Sequence, residues 1–382
     1  MKSHKNSPKE TKVFNIVQGL WGGVGKYAHQ VAHLNNNENL SIYTIVINTK
    51  HWPRHQQLLD DGIDKEILIK SRFDFSWIKL CSDEIIRCNP DMLFVHGFNG
   101  PLMGMLIRWK AHKKTRLLCS YHGGYNSPSI YKKPLAPIIN FILYKIYLHF
   151  ANKIVTVSNF SRNYLIKKNI PKHKIDVIHN GLTSQYRPNK TKRNTRLDWK
   201  IPQESIIIGW SGRFAPEKGV QYLIKAFKHT CADFHNTHLV LAGDGNQIDK
   251  IKSLVKKYKL ESKVHFLGLI DDIDTFLNGI DIYVLPSIQE NHSIALLEAM
   301  RASKAIIATD VGGNGESIRH EKEGLLIPPF NSLLLSKALS SIIKDSDCRE
   351  KFGHAARQRF LQKFNYENTV ANISNWLIST NE

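Results

Sequence analysis

Residues 280–308 read IDIYVLPSIQENHSIALLEAMRASKAIIA, and this stretch decides the fold. Ile280–Leu285 is a short, largely apolar and β-branched run, which predicts a buried strand. After a Pro-Ser turn, apolar residues return at helical spacing over Ile294–Arg301, and Ala305–Ala308 predicts a second strand. A strand, a helix and a strand in close succession form a βαβ unit, so we expect a parallel sheet covered by helices.

The same alternation of short strands and amphipathic helices extends in both directions from this unit. Between the two halves of the pattern, the polar and basic segment Gln185–Lys200 has no apolar periodicity, which predicts a linker. We therefore expect an α/β protein with two Rossmann-like, doubly wound domains, residues 1–195 and 196–360, which face a central cleft. Residues 361–382 are expected to form a C-terminal helix that packs back on the first domain.

Length and composition exclude several classes of protein. The 382 residues are 42% apolar and lack repeats, which excludes disordered, collagen-like and coiled-coil chains. No apolar run is long enough to span a bilayer, and the first ten residues, MKSHKNSPKE, lack the apolar core of a signal peptide. The five scattered cysteines contain no C-x-x-C pair, which argues against a disulfide framework or a zinc site and for the cytoplasm.

The net charge of +20 lies in the first half of the chain. Residues 1–200 hold 32 Lys and Arg against 12 Asp and Glu, whereas residues 201–382 hold 21 of each kind. Residues 101–200 alone hold 20 basic and 2 acidic side chains. A field of this size favours phosphates or an anionic membrane surface, and the alternative is a basic surface that only aids solubility.

One segment of this basic region is also apolar and aromatic. Residues Tyr131–Phe150 read YKKPLAPIINFILYKIYLHF, with two lysines at the start and four aromatic rings after Pro137. Such a segment is typical of a surface that dips into lipid headgroups. The alternative is a core helix that packs on the sheet of the first domain.

The first glycine-rich loop, Gly22-Gly23-Val24-Gly25, follows a predicted strand and precedes a helix. It is not a P-loop, because Leu20 and Tyr27 stand where that motif needs Gly and Ser or Thr. It fits the loose G-x-G-x-x-A dinucleotide pattern, but the next strand ends without the acidic ribose ligand. Two interpretations remain, a tight structural turn or a helix start whose backbone N–H groups face an anion.

The second glycine turn, Gly212–Gly219, carries two cations beside a helix start. Arg213 offers fork-like contacts and Lys218 a point charge, which together suit a diphosphate, although basic residues in turns are often only solvated. Farther on, Glu290 and Glu298 follow one strand. Two carboxylates at one sheet edge suit a ligand with many hydroxyl groups.

Taken in order along the chain, these motifs resemble the retaining glycosyltransferase family 4, whose members have the GT-B fold. The resemblance covers nearly the whole chain and rests on the motif order and spacing. The matching stretches are Gly22–Gly25, Tyr121–Gly124, Val155–Ser158, Ile178–Gly181, Gly212–Gly219, Ala242–Gly245, the pair Glu290 and Glu298, and Gly312-Gly313.

The resemblance implies a role for individual residues. Arg213 and Lys218 would bind the donor diphosphate and stabilise the leaving nucleotide, Glu290 would contact the hydroxyls of the donor sugar, and His122 would lie beside the reacting sugar. These four are the expected catalytic residues. The remaining expected donor-binding residues are Gly22 and Gly23 over the phosphate, Gly268 and Leu269 at the base, Ser293 beside the sugar, Ile294 and Ala295 with their backbone amides on the phosphate, and Glu298 at the ribose.

The resemblance also implies the reaction. A hexose or N-acetylhexosamine would pass from a nucleotide diphosphate sugar, with UDP the expected nucleotide, to an acceptor with retention of configuration, without metal or other cofactor. With the basic first half, the expected acceptor is a lipid-linked glycan of bacterial surface polysaccharide (O-antigen, capsule or lipopolysaccharide). We would then expect a peripheral enzyme at the inner face of the cytoplasmic membrane.

Two motifs depart from the family pattern, and three alternatives stay open. His292 and Ser293 replace an aromatic and a small residue beside the donor sugar, and Gly315 replaces a proline. The alternatives are a nucleotide-sugar epimerase of the same fold, a transferase with a soluble acceptor, and a non-catalytic basic protein that binds nucleic acid. The sequence contains no nucleic-acid-binding motif, which argues against the last alternative.

Overall fold

The computed structural model describes residues 10–19, 22–36, 39–49, 62–71, 74–97, 99–123 and 136–381. These residues form two compact units. The first unit contains the described residues up to 180 together with those from 367 onward, and the second contains residues 181–366. Each unit is built around one parallel sheet, as the strand and helix pattern of the sequence predicts.

The first unit alternates strands and helices along the chain. Its strands are β1 (Thr11–Gln18), β2 (Leu40–Thr49), β3 (Lys65–Ile69), β4 (Met92–His96), β5 (Arg116–Tyr121), β6 (Lys153–Thr156) and β7 (Ile175–Val177). Its helices are α1 (Gly22–Ala32), α2 (Ser76–Cys88), α3 (Gly100–Ala111), α4 (Ala136–Phe150), α5 (Asn159–Lys167) and, at the end of the chain, α14 (Tyr366–Asn381). The strands pair in parallel in the order β3-β2-β1-β4-β5-β6-β7.

Helices cover both faces of this sheet, and the strands are apolar on both sides for that reason. Alternate residues of β1 and β4 enter two different cores. Phe14 and Leu93 pack in one core with residues of α2, α3 and α4, whereas Val13 and Phe94 pack in the other with residues of α1 and α14. The core therefore fixes the register of the central strands.

The second unit repeats the pattern with six strands. They are β8 (Ile206–Ser211), β9 (Thr237–Ala242), β10 (Val264–Gly268), β11 (Ile282–Leu285), β12 (Ala305–Thr309) and β13 (Leu325–Ile327), in the order β10-β9-β8-β11-β12-β13. The helices are α6 (Lys192–Asp198), α7 (Val220–Asp233), α8 (Ile248–Lys257), α9 (Ile273–Gly279), α10 (Ile294–Arg301), α11 (Asn314–Ser317), α12 (Ser332–Lys344) and α13 (Ser346–Lys363). The βαβ unit predicted over residues 280–308 is β11, α10 and β12.

The linker predicted over residues 185–200 is wrong, because this segment packs on the second unit. It contains α6, and the Arg196 side chain is only 3% exposed. Arg196 donates to the carbonyl oxygens of Gly279 and Ser205 and forms an ion pair with Asp281 at 2.7 Å. Arg196, one of the basic residues that suggested a linker, thus has its partners within the second unit. The units divide at residues 180 and 366, where the sequence analysis places the limits at 195 and 360.

The last helix belongs to the first unit. Ile373, Trp376 and Leu377 of α14 are buried against that unit's sheet. Trp376 Nε1 donates to the carboxylate of Asp176 at 2.9 Å. Among the described residues, no helix has the length and the apolar character needed to cross a bilayer.

Candidate active site

Except for Gly22 and Gly23, the residues assigned to the donor lie in the second unit, at the carboxyl edge of its sheet. Strands β8, β11 and β12 are parallel neighbours, so the loops that follow them meet at the same edge. These loops touch through their backbones at glycines with positive φ. A β-carbon at Gly219 would lie 2.0 Å from the carbonyl oxygen of Pro286, and one at Gly312 would lie 1.8 Å from that of Glu290. Only glycine permits this close approach.

Lys218 and Glu290, expected to act together, form an ion pair in the structure. Lys218 Nζ donates to Glu290 Oε1 at 2.7 Å, and the hydroxyl of Ser287 donates to the same oxygen at 2.7 Å. The Glu290 residue is only 8% exposed. Within the described part of the chain, both bonds end on Oε1, so Oε2 is the carboxylate oxygen that a ligand would meet.

Arg213 lies on the same loop as Lys218 but is largely exposed. Its Nη2 donates to Glu217 Oε1 at 2.8 Å, and 66% of the side chain is open to solvent. A guanidinium has five donors in a planar fork, so the solvent-facing donors can take an anion without loss of the Glu217 contact. The backbone carbonyl of Glu217 in turn accepts from the N–H of Ile288 at 2.7 Å, which joins this loop to the one after β11.

The start of α10 faces the same edge of the sheet. The Ser293 hydroxyl caps the helix and accepts from the N–H of Leu296 at 3.3 Å. Ile294 and Ala295 are the first two residues of the helix, whose N–H groups have no acceptor within the helix itself. Together with the helix dipole, such N–H groups favour an anion.

Glu298 lies one turn farther along α10 and is 8% exposed. Beside it, the Tyr283 hydroxyl contacts Ser211 Oγ at 3.2 Å. Burial raises the pKa of Tyr283, and the negative charges of Glu298 and Glu290 raise it further against the lowering effect of the Ser211 bond. The tyrosine therefore stays neutral between the two carboxylates.

Gly268 and Leu269 lie at the carboxyl end of β10, the outermost strand of the same sheet on the side away from β11 and β12. Gly268 ends β10 with a φ of +68°, and its carbonyl oxygen accepts from the N–H of Gly243 at 2.6 Å. Leu269 is 61% exposed. Both residues lie at the carboxyl end of a strand, where the sequence analysis expects contacts with the base.

His122 and the first glycine loop belong to the other unit. Gly22 and Gly23 begin α1 directly after the end of β1, and His122 follows β5. The ring of Tyr27, on α1, meets the His122 ring edge-on at 4.9 Å between centroids. Burial lowers the pKa of His122 to about 3, so the imidazole is neutral at physiological pH.

Several residues of the two edges escaped the sequence analysis. Glu217, Ser287, Ser211 and Tyr283 contact or surround the donor-site residues, and Ser120 contacts His122. The available signal was a polar residue at the end of an apolar strand, which fits Ser120, Ser211 and Ser287.

Helix α4 presents two different faces. Tyr144 and Tyr147 are buried in the core of the first unit, as the core-helix interpretation expects. Ile138, Phe141 and Ile142 are each more than half exposed, and Lys145 Nζ lies 5.5 Å from the centre of the Phe141 ring. We call these three residues the α4 surface.

A groove of about 700 Å³ lies at the far end of the same helix. Trp109, which is 72% exposed, and Phe150 line it together with basic residues of α3 and the following loop. Those basic residues are Arg108, Lys113 and Lys114. Part of the segment Tyr131–Phe150, residues 131–135, lies outside the described residues, as do Leu20 and Gly124.

In the described ranges, no three His, Cys, Asp or Glu side chains are grouped so that they could hold a metal ion.

Two protein-family models match the chain. The model of glycosyltransferase family 4 matches residues 21–185, and the model of glycosyl transferases group 1 matches residues 191–359. An uncharacterized glycosyltransferase of Methanocaldococcus jannaschii is 29% identical over 58% of this chain and 59% of its own length. The capsular polysaccharide biosynthesis glycosyltransferase CapM of Staphylococcus aureus is 26% identical over 59% of this chain and 61% of its own length. The chain thus spans about six tenths of these curated relatives.

A solved structure matches almost the whole chain. The Anabaena protein HepE in complex with UDP-glucose has a TM-score of 0.83 at 19% identity, and the match covers 97% of this chain and 100% of that one. At this identity the likeness concerns the fold. It confirms the predicted architecture of two parallel α/β sheets with flanking helices.

Proposed function

Because the chain belongs to the group 1 glycosyltransferases of the GT-B fold, we propose that it moves a hexose or N-acetylhexosamine from a UDP-sugar to a lipid-linked glycan with retention of configuration. The observation that carries this proposal is the carboxyl edge of the second sheet. There, Arg213 and Lys218 stand with the buried carboxylates of Glu290 and Glu298 beside the start of α10. Cations suit a diphosphate, and carboxylates suit hydroxyl groups.

In the proposed reaction, the bond between the anomeric carbon and the donor phosphate breaks while the acceptor oxygen attacks on the same face. The acceptor proton passes to an oxygen of the departing phosphate, and the bonding electrons leave with the diphosphate. Arg213, Lys218 and the N–H groups of Ile294 and Ala295 stabilise the growing negative charge of the diphosphate. Lys218 exchanges its contact with Glu290 for a phosphate oxygen, which leaves Glu290 to accept from a sugar hydroxyl.

UDP is proposed as the nucleotide because HepE was solved with UDP-glucose, and a surface glycan is proposed as the acceptor because CapM acts in capsular polysaccharide biosynthesis. The α4 surface supports a lipid-linked acceptor. Its exposed apolar residues next to Lys145, within the basic first half of the chain, suit an anionic lipid headgroup layer. We place the protein, on this proposal, at the inner face of the cytoplasmic membrane.

The donor proposal is tested by thermal shift with UDP, GDP, ADP, CMP and NAD. A ligand that binds only the folded state raises the melting temperature, because it adds to the free energy of unfolding. At a ligand concentration one hundred times the dissociation constant, the added stabilisation is about 2.7 kcal/mol. We expect UDP alone to raise it. A shift with NAD would instead favour a dinucleotide site at the first glycine loop. Incubation with UDP-glucose and no acceptor distinguishes a transferase from an epimerase. Only an epimerase would convert UDP-glucose into an isomeric sugar nucleotide under these conditions.

The membrane proposal is tested by sedimentation with anionic liposomes at low salt. We expect the wild-type protein to sediment with vesicles that contain phosphatidylglycerol, and the variant Phe141→Glu to remain in the supernatant. The matched control is Leu333→Glu on the second unit, where the wild-type leucine is 58% exposed. Equal sedimentation of both variants, or none of the wild type, would contradict the proposal and favour a soluble acceptor. A salt-sensitive shift of bulk RNA without turnover of any sugar nucleotide would favour the nucleic-acid alternative.

A further inference from the structure

Four polar side chains form one continuous hydrogen-bonded chain inside the first unit. Asn15 lies on β1, His96 ends β4, Ser120 lies on β5, and His122 follows β5. Because β1, β4 and β5 are neighbours in the sheet, their ends lie side by side. Asn15 Oδ1 is 2.5 Å from His96 Nε2, His96 Nδ1 is 2.7 Å from Ser120 Oγ, and Ser120 Oγ is 2.9 Å from His122 Nε2. We call these residues the histidine relay.

The relay is deeply buried except at one end. Asn15 and Ser120 have no exposed surface, and His96 is 4% exposed. His122 is half-buried. Each polar atom inside the relay must therefore find its hydrogen-bond partner within the protein.

The direction of every hydrogen bond follows from the amide of Asn15. Its Nδ2 donates to the carbonyl oxygen of Ala28 at 3.0 Å and contacts Thr44 Oγ1 at 3.1 Å. Since a carbonyl oxygen can only accept, the amide nitrogen faces Ala28 and the amide oxygen faces His96. His96 Nε2 is therefore the protonated nitrogen and donates to Asn15.

The neutral ring of His96 determines where the protons of Ser120 and His122 lie. Burial, and less strongly the nearby His122, hold the pKa of His96 well below its usual range, so the ring is neutral and Nδ1 has only a lone pair. The single proton of the Ser120 hydroxyl must then be donated to His96 Nδ1. Ser120 Oγ in turn accepts from His122, whose Nε2 carries the proton.

We propose that Asn15, His96 and Ser120 are positioning residues that hold His122 as the neutral Nε2–H tautomer, so that its Nδ1 accepts a hydrogen bond from a hydroxyl of the bound sugar. The proposal rests on the proposed function and on the family resemblance, which implies that the reacting sugar lies beside His122. In the described part of the chain, the hydrogen bond of His122 is made at Nε2. Burial lowers the pKa of His122 to about 3, so Nδ1 keeps its lone pair at neutral pH.

The tautomer can be read directly by long-range proton–nitrogen NMR of the full chain with ¹⁵N-labelled histidine. We expect His122, assigned by its loss in His122→Phe, to give the pattern of a single Nε2–H tautomer in the wild-type protein. An Nδ1–H tautomer or an imidazolium pattern at pH 7 would overturn the relay. The tautomer is read in the wild-type protein, and the variant His122→Phe serves only to assign the signal.

The relay is then broken by Ser120→Ala, which removes one oxygen and no other heavy atom. We expect His122 to populate both tautomers in this variant, and the turnover of UDP-glucose or UDP-N-acetylglucosamine to fall about tenfold at unchanged affinity for UDP. Ser120→Thr restores the hydroxyl and should recover the single tautomer and most of the turnover. An unchanged tautomer in Ser120→Ala would overturn the proposal.

The matched control is Ser82→Ala, which removes another buried serine hydroxyl of the same unit. Ser82 donates to the carbonyl oxygens of Ile78 and Ile107 and is not part of the relay. It should lose some stability but leave the His122 tautomer unchanged. A second test combines Ser120→Ala with His122→Phe. If Ser120 acts through His122, the double variant turns over no more slowly than His122→Phe alone, whereas a further loss would overturn that route.

Failure of the relay and failure of the proposed function give different results. An Nε2–H tautomer together with no binding of UDP would support the relay and refute the transferase proposal. The wrong tautomer in a protein that binds UDP and transfers sugar would refute the relay alone.

Discussion

The two units share one architecture and differ in the chemistry at their carboxyl edges. Both are parallel sheets with the first strand of each unit near the middle and helices on both faces. The edge of the first unit is neutral, with His96 and His122 held uncharged by burial. The edge of the second is ionic, with Lys218 paired to Glu290 and Arg213 to Glu217.

This difference runs against the net charge of the two units. Residues 1–180 and 367–382 hold 26 Lys and Arg against 13 Asp and Glu, yet the described edge of their sheet is neutral inside. Residues 181–366 are closer to balance, with 27 against 20, yet their edge holds the charged groups. The net charge of a region thus describes its surface and its long-range field, whereas the charge of its site depends on a few buried pairs.

If the ionic edge of the second unit binds the diphosphate, removal of its exposed cation, Arg213, should have the largest effect on turnover. Arg213→Ala should lower turnover by about 10² to 10³, which corresponds to about 3–4 kcal/mol of lost transition-state stabilisation. The control is Lys190→Ala, which removes an exposed cation paired with Asp198. Steady-state kinetics of both variants compare the effects. Turnover of Arg213→Ala at the wild-type rate would refute the diphosphate role.

The packing of the ionic edge is tested at two glycines with similar backbone angles. Gly312 has a φ of +59° and Gly268 has a φ of +68°. A β-carbon at Gly312 would lie 1.8 Å from the carbonyl oxygen of Glu290, whereas a β-carbon at Gly268 would have no other described atom within 4 Å. Gly268→Ala should cost only the left-handed backbone penalty, about 1–2 kcal/mol.

Gly312→Ala should cost clearly more, because the loop that carries Glu290 has to move. Urea unfolding of both variants measures the difference. Equal losses of stability would mean that the loop after β11 yields freely, so that the close approach is not what holds Glu290.

The second buried carboxylate of the ionic edge separates nucleotide binding from turnover. Glu298→Ala should weaken the binding of free UDP about tenfold, which corresponds to about 1.4 kcal/mol, because the ribose hydroxyls lose their acceptor. Titration calorimetry with UDP measures this, and Glu298→Gln, which keeps the size and one acceptor oxygen, should lose less. An unchanged affinity of Glu298→Ala for UDP would contradict the expected contact of Glu298 with the ribose.

The neutral edge of the first unit predicts a small dependence of stability on pH. The pKa of His122 is lowered to about 3 in the folded state, against about 6.5 in an unfolded chain. The unfolded state therefore takes up the proton first, so the contribution of His122 is present above pH 6.5 and is lost as the pH falls from 6.5 towards 3.

The variant His122→Gln lacks this dependence. Between pH 7.5 and pH 5.5, the difference in the free energy of unfolding between the wild-type protein and the variant should shift against the wild type by about 1 kcal/mol. Urea unfolding at both pH values measures this difference. Parallel behaviour of the two proteins would show that the pKa of His122 in the folded state is close to its value in the unfolded chain.

The fold was largely predictable because strand and helix periodicity are local properties. The strand Ile280–Leu285 and the helix Ile294–Arg301 appear within a residue or two of their predicted limits. The linker was wrong for a reason that is not local. Arg196 looks solvated in the sequence, and its burial depends on Asp281, which lies 85 positions away.

The same limit applies to the sites. Lys218 and Glu290 were each predicted from motifs, but their ion pair joins positions 72 residues apart. Of the histidine relay only His122 was predicted, because Asn15, His96 and Ser120 come together only through the strand order of the sheet. The resemblance supplied the residues with expected roles, and the structure supplied the partners that these residues contact.

The placement of α14 has a consequence for the order in which the protein is completed during synthesis. Ile373, Trp376 and Leu377 share a core with residues of β1, so the two parts of that core are separated in the chain by the whole of the second unit. The ribosome therefore translates residues 181–366 after β1 and before the rest of α14. The second unit can finish folding on the ribosome while the core of the first unit still lacks α14.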